Sequence, residues 1–270
     1  MRKQDIWNEV VLAALVILML LPILYMILIA LTPSECLFIT FIPRRFTLRN
    51  LSDVFSDPIT LRYYLNTWVI AISTVALSLA LASLAGYGLS RFRFKIKNWF
   101  ILGALVTQML PMEVLVISYF RIIQRLGLYN TRVALILVDT TITVPFCTLM
   151  LKSIFDGIPR EIEEAAMIDG CSKMTAFFRI TLPISWAGLF AAGTFAFLQS
   201  WGEYLYALTL TTDYRATPMT VQVTKMIGQY VTSWEAMAAM ALLCIVPVLL
   251  LFGLTQHVFL QGLTAGAVKE

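Results

Sequence analysis

Residues 159–170 read PREIEEAAMIDG. Five charged side chains, Arg160, Glu161, Glu163, Glu164 and Asp169, stand between a proline and a glycine, in a chain that is 59% hydrophobic and 13% charged. No catalytic constellation accompanies them. The single histidine, His257, excludes a histidine pair or an H-E-x-x-H helix, and near a helix end its ordinary role is to meet the dipole. None of the thirteen glycines is followed by lysine, so there is no P-loop and the chain does not bind ATP by that route. The four cysteines, Cys36, Cys147, Cys171 and Cys244, lack C-x-x-C metal spacing and suggest no disulfide framework. What the charged cluster can do is stay in water when free and meet a polar protein surface when docked. The alternative is a solvated loop that happens to be charged.

The local pattern predicts helix, turn, helix. Pro159 suits a first helical position, where its missing N–H would be orphaned anyway. Glu161, Glu163 and Glu164 fall in the first turns, where the dipole favours negative charge. Ile162, Ala165 and Ala166 stand at i, i+3 and i+4 and form a narrow apolar stripe. Gly170 can take the left-handed conformation that ends a helix. Ser172 can cap the next helix, which runs from Lys173 to about Ile180, with Leu182 and Pro183 leading into the following segment.

The elements that carry this loop are read from composition. Soluble domains hold about 45–50% apolar and about 25% charged residues. This chain departs in both directions, with mean hydropathy +0.81. Residues 10–31, 65–90 and 99–110 contain no charge. A hydrocarbon core of roughly 30 Å takes about 20 residues of helix. The chain therefore reads as an all-α integral membrane protein, one transmembrane domain over 1–270, with six transmembrane helices at about 10–31, 66–90, 99–120, 133–155, 184–210 and 236–260. The first is too long for a signal-peptide core and has no A-x-A site after it. Pro111, Pro145 and Pro247 fall inside spans, where neighbouring helices can re-satisfy freed backbone groups.

Six spans put both termini on one side. Lysine and arginine totals on the two sides, eleven against nine, decide little, but RFRFKIK (91–97) packs four positive charges into seven residues. That density places the termini and the loop 157–183 in the cytoplasm.

The order Glu164-Ala165-Ala166, three residues, Gly170, nine residues, Ile180-x-Leu182-Pro183 resembles the EAA signature of ABC importer permeases. SRFRFK (90–95), LGLYNT (126–131), WGEYLYAL (201–208) and GLTAGAVKE (262–270) resemble the carbohydrate branch, the maltose-importer type with six spans, in the same order. The resemblance implies a type I permease fold in a bacterial inner membrane. It implies an EAA coupling helix in which Glu164 meets a basic group of an ATPase, Ala165 and Ala166 seat closely, and Gly170 makes the turn. Ile180, Leu182 and Pro183 would tie that helix to the fifth span. The C-terminal tail, with Gly262, Thr264, Gly266 and Lys269, would be a second ATPase contact. Implied partners are a paralogous permease, two P-loop ATPase subunits and an extracytoplasmic sugar-binding protein. ATP and Mg would be used by the ATPases; this chain itself holds no cofactor or metal, is not an enzyme and binds no nucleic acid. Residues 211–235 would contact the binding protein, through a segment holding Thr211, Thr212, Asp213, Tyr214, Gln222, Gln229 and Tyr230.

Polar residues within the spans are candidates for the substrate path. Asp139 is the sharpest, because an ionised carboxylate at a span centre costs about 2.5–3.5 kcal/mol on insertion scales. It could meet sugar hydroxyls, or bond to Thr140, Thr141 or Thr143. Gln108, Glu113, Gln199 and Glu203 are weaker candidates. Ser78, Ala82 and Gly86, and Gly188, Ala192, Ala196 and Ser200, recur every four residues and suit close helix packing, within the chain for the first set and within or between chains for the second. Rival readings are a permease for a non-sugar solute and a secondary transporter or channel. The latter would show inverted repeats and paired intramembrane charges.

Overall fold

The computed structural model describes residues 2–37, 43, 45–227 and 233–267, with side chains for 7–37, 43, 45–227 and 233–254. In chain order the helices are α1 (Arg2–Ala30), α2 (Arg49–Ser56), α3 (Pro58–Arg91), α4 (Lys97–Met109), α5 (Met112–Arg125), α6 (Arg132–Asp156), α7 (Arg160–Ile168), α8 (Lys173–Ala176), α9 (Leu182–Ile184), α10 (Trp186–Trp201), α11 (Leu205–Leu210), α12 (Met219–Lys225) and α13 (Trp234–Ala267). A π-helical turn (Phe177–Thr181) joins α8 to α9.

Among the described residues four helices are long and apolar enough to cross a membrane: Trp7–Ala30 of α1, α3, α6 and Trp234–Leu254 of α13. Two further pairs bring the total to six if each bent pair is one span: α4 with α5, bent by 103°, and Lys173–Ile184 with α10, bent by 77°. The six apolar segments of the sequence are thus helical, but the third and fifth are not continuous. In the third, Leu110 and Pro111 are extended, with ψ of 129° and 125°. Proline disfavours the helical region for the residue before it and donates no N–H, so the helix stops there. Pro145 sits inside α6 without ending it. The predicted fifth span, 184–210, turns at Ser185 and stops at Trp201, and α11 follows as a separate short helix.

The chain divides into two compact units, Met1–Arg62 with Met219–Pro247, and Tyr63–Pro218 with Val248–Glu270. In the first, the Asn50 side-chain amide donates to the carbonyls of Ala30 and Thr32, both at 2.9 Å, and holds α2 under the end of α1. The apolar surface of α1 is otherwise bare: none of its spanning window is buried.

The second unit holds the core. Ala82 and Tyr87 of α3, Cys147, Leu151 and Phe155 of α6, Phe177 of the π-turn, and Ala192 and Ala196 of α10 form one buried cluster. Small residues set its spacing. A Cβ on Gly86 would stand 3.0 Å from the Lys152 nitrogen and 3.1 Å from the Thr148 carbonyl, so α3 lies directly against the α6 backbone. Ser78 pairs with Thr143 at 2.6 Å. Gly188 faces Ile154, and Ala192 and Ala196 are fully buried. Both small-residue stripes are therefore occupied within the chain by α6. The stripe on the fifth span is not a free surface for a partner, because a helix face buries only one neighbour at this distance.

Candidate functional site

α7 is built much as its residue types dictate. Pro159 stands one position earlier than expected, at the cap itself, with φ −55° and ψ 133°. Glu161 and Glu163 lie in the first turn. Asp169 ends the helix, and Gly170 has φ +92°, a conformation that side-chain-bearing residues rarely adopt. The Cys171 N–H then closes on the Ala166 carbonyl at 3.0 Å. Ser172 caps α8 by accepting from the Thr175 N–H at 3.2 Å. The result is two short helices folded sharply on each other.

The knob is fastened by one carboxylate. Glu163 is only 6% exposed. Its Oε1 accepts from Arg91 Nε and from Thr181 Oγ1, and its Oε2 from Tyr87 Oη, all at 2.8 Å. Arg91 also donates to the Ile158 carbonyl at 3.1 Å, and Arg160 to the Ser90 carbonyl at 3.2 Å. Ser90 in turn donates to Asp156, which is paired with Lys152 at 2.5 Å. Burial raises the Glu163 pKa, but the hydrogen bonds from Arg91, Thr181 and Tyr87 and the Arg91 charge outweigh it, holding the carboxyl below its ordinary range. Tyr87 stacks obliquely on Phe177 at 4.5 Å between centroids. One side chain on α7 thus joins the end of α3 to the π-turn that leads into α10, while Ser90 and Arg91 tie the same end of α3 to the end of α6 and the residues after it.

The sequence-predicted residues divide around this junction. Ala166 is buried, while Glu164, Ala165 and Gly170 remain exposed. The exposed apolar face of α7 is Ile162, Ala165 and Ile168, the last 87% exposed, in place of the expected stripe that included Ala166. Glu164 lies with Arg160 and Lys173 around a small polar pocket of about 100 Å³ above Glu163. Leu182 packs on the core cluster, Ile180 is half-buried and Pro183 is exposed; Phe177 and Thr181 make the remaining attachments. Sequence reasoning passed over Glu163, Tyr87, Arg91 and Thr181. The available signal was the doubled acid, Glu163-Glu164, beside an arginine at the end of a long apolar segment. Of the C-terminal residues, Gly262, Thr264 and Gly266 fall in the last turns of α13, their side chains outside the described residues; Lys269 lies outside them altogether, and so does the side chain of His257.

The polar residues of the spans separate into three settings. Asp139 is 2% exposed, and its Oδ2 accepts from Ser200 Oγ at 2.5 Å. Among the described residues its Oδ1 has no hydrogen-bond partner, and Thr143 donates to its backbone carbonyl, not to its carboxylate. Glu203 accepts from the N–H groups of Tyr206 and Ala207 at 2.7 and 2.9 Å and so caps α11. Gln108 precedes the break in the third span, and Gln199 reaches Met112 just after it. Gln108 donates to the Ile142 carbonyl at 3.4 Å, Gln199 donates to the Met112 sulfur at 3.7 Å, and Tyr206 Oη donates to the Met112 carbonyl at 2.7 Å. Glu113 is exposed in the first turn of α5.

A second anchored segment lies at the other end of α3. Asn66 donates to the carbonyls of Tyr214 and Thr217 at 2.9 and 2.8 Å. Asn130, at φ 57°, accepts from the N–H of Thr212 at 2.9 Å. Asn66 and Arg91 are separated by 25 residues of helix, about 38 Å at 1.5 Å per residue, more than a hydrocarbon core is thick. The segment 211–218 and α7 therefore lie at opposite ends of α3. Gln229 and Tyr230 lie outside the described residues.

Residues 78–264 match the family model described as "Binding-protein-dependent transport system inner membrane component". The chain belongs to this family. The permease is 35% identical over 86% of its length, and 81% of the relative's, to the sulfoquinovosyl glycerol transport system permease protein of Agrobacterium fabrum. It is 35% identical over 83% of its length, and 81% of the relative's, to the trehalose/maltose transport system permease protein of Thermococcus litoralis. It is 33% identical over 77% of its length, and 75% of the relative's, to the diacetylchitobiose uptake system permease protein of Streptomyces coelicolor. In fold it is similar to a chain of a bacterial ABC transporter involved in the import of the acidic polysaccharide alginate, with TM-score 0.82, 21% identity, and 95% and 96% of the two chains covered. The permease is thus a multi-pass inner-membrane component of an ABC transport system.

Proposed function

We propose that this permease forms half of the membrane path of an ATP-driven sugar importer, with α7 as the helix that docks on an ATPase subunit. The observation that carries the reading is the Glu163 junction. A docking helix transmits motion only if its inner face is fixed and its outer face is free. α7 has Glu163 and Ala166 buried inward, and Ile162, Glu164, Ala165 and Ile168 exposed outward. Closure of two ATPase subunits on ATP would pull α7, and the junction would pass that motion to α3, α6 and α10. The path then alternates between inward-facing and outward-facing states as rigid bodies, favoured in turn by differential binding.

In this reading α7, RFRFKIK and both termini are cytoplasmic, Gly262 to Lys269 form a second contact with the ATPases, and 211–218 faces an extracytoplasmic sugar-binding protein. A paralogous permease supplies the other half, and ATP and Mg are used by the ATPases. The break between α4 and α5, with Gln108 and Gln199 beside it, is the best-placed polar stretch for cargo, since discontinuous helices bring backbone groups to a path. A sugar is favoured because the relatives above are named for sugar and sugar-derivative transport, over more than three quarters of this chain.

Co-purification from native membranes tests the assembly. A tagged chain should bring down a second permease and a P-loop ATPase, and Ile168→Cys should crosslink to the ATPase. A reproducible homo-oligomer without an ATPase would sink the proposal.

A further inference from the structure

α3, α4 and α6 enclose an open apolar groove of about 730 Å³. Its walls include Leu89, Trp99, Phe100 and Pro145. Gly88 and Gly103 also line it, and a Cβ added at either would meet nothing within 4 Å. The chain does not fill this space itself.

The mouth has a charge pattern. Phe94 and Ile96 line the groove, while Arg93 and Lys95, which alternate with them, are exposed. Among the described residues neither Arg93 nor Lys95 takes part in an ion pair. Trp99 is 72% and Phe100 60% exposed, and aromatic rings of this kind settle at the level of lipid headgroups. Apolar walls, an interfacial tryptophan and a bare basic rim are complementary to one class of molecule available at every point along a membrane protein. Basic pockets between membrane helices recognise anionic headgroups by the same means.

We propose that this groove binds an anionic phospholipid, with an acyl chain between α3, α4 and α6 and the headgroup phosphate on Arg93 and Lys95. The site stands beside the Glu163 junction, because Arg91 begins the same basic segment. It requires only that the chain spans a membrane, not that the cargo be a sugar or that α7 meet an ATPase.

The test uses the assembled transport complex, purified with this chain and reconstituted into vesicles of phosphatidylcholine carrying a trace of photoactivatable phosphatidylglycerol or photoactivatable phosphatidylcholine. After illumination, labelled peptides are mapped by mass spectrometry. The glycerol-headgroup probe should label residues 93–107 preferentially. Arg93→Gln and Lys95→Gln should each reduce that preference by about five-fold, the effect of one basic residue at an anionic surface. Gly103→Leu should lower labelling by both probes by filling the groove. Equal labelling by the two headgroups, or none in this segment, would overturn the proposal. So would efficient crosslinking of Gly103→Cys to the second permease, which would make the groove a subunit interface.

Discussion

Glu163 and Asp139 are both carboxylates hidden by their own chain, at 6% and 2% exposure, and their surroundings are unlike. Glu163 takes three hydrogen bonds, one from a paired arginine, and both its oxygens are used. Asp139 takes one, from a neutral serine, and its second oxygen has none. An isolated buried charge is expensive, and a paired one that is fully hydrogen-bonded is tolerated. Glu163 sits in the first turn of α7, so an arginine and a tyrosine from the end of α3 and a threonine from the π-turn can reach it. Asp139 sits within α6, where Ser200 donates to it and also reaches the Thr74 hydroxyl. The first arrangement resists motion within it. The second has a single hydrogen bond, and its other oxygen is buried without one among the described residues.

Breaking the Glu163 junction should have the largest effect. Glu163→Ala leaves Arg91 buried and uncompensated, a loss of about 3–5 kcal/mol. ATP-driven uptake in vesicles should fall to background, and protection of the 160–168 amides from hydrogen exchange should be lost. Unchanged protection would mean that the knob does not depend on this pair. The same junction should be pH-sensitive. Because the folded Glu163 carboxyl is held below its ordinary value of 4.5, its stabilisation is fully present above that pH and disappears as the pH falls through the lower, folded value. Amide protection in α7 should drop on acidification in the wild type, and Glu163→Gln should flatten that dependence.

Gly86→Ala sharpens the contrast by testing the packing that surrounds both sites. Its Cβ meets backbone atoms of α6 at 3.0 and 3.1 Å, which cannot rotate away. Destabilisation of about 1–3 kcal/mol is expected, read as a lower unfolding temperature of the detergent-solubilised complex. Gly170→Val acts on the knob alone. At φ +92° a β-branched residue is strained by about 1–2 kcal/mol. The chain should insert normally, yet ATP hydrolysis and uptake should uncouple; normal uptake by a well-expressed variant would remove the turn from the mechanism. Asp139→Asn should be mildest. The amide oxygen can still accept from Ser200, so stability should change by less than about 1 kcal/mol. A large change in substrate affinity, with expression intact, would instead assign Asp139 to the cargo path.

Much of the charged turn was legible because its determinants are local. A glycine that must turn, a serine that caps three residues ahead and glutamates near a helix N-terminus act on neighbours within one or two turns. Pro111 ended the third span by the same local rule, although the sequence reading carried that span through it. Pro145 shows the limit, since the same residue type inside α6 is tolerated.

The residues alone determined a helical membrane chain, its six apolar segments and a charged turn of fixed design, since apolar length and backbone preference are properties of contiguous sequence. Only the tertiary structure decided which glutamate is the fastener. Glu163 and Glu164 are adjacent and chemically identical, and they differ because partners 76, 72 and 18 residues away converge on one of them. It likewise decided that both small-residue stripes close on α6. Which face of a helix is buried, and against what, depends on contacts between distant segments.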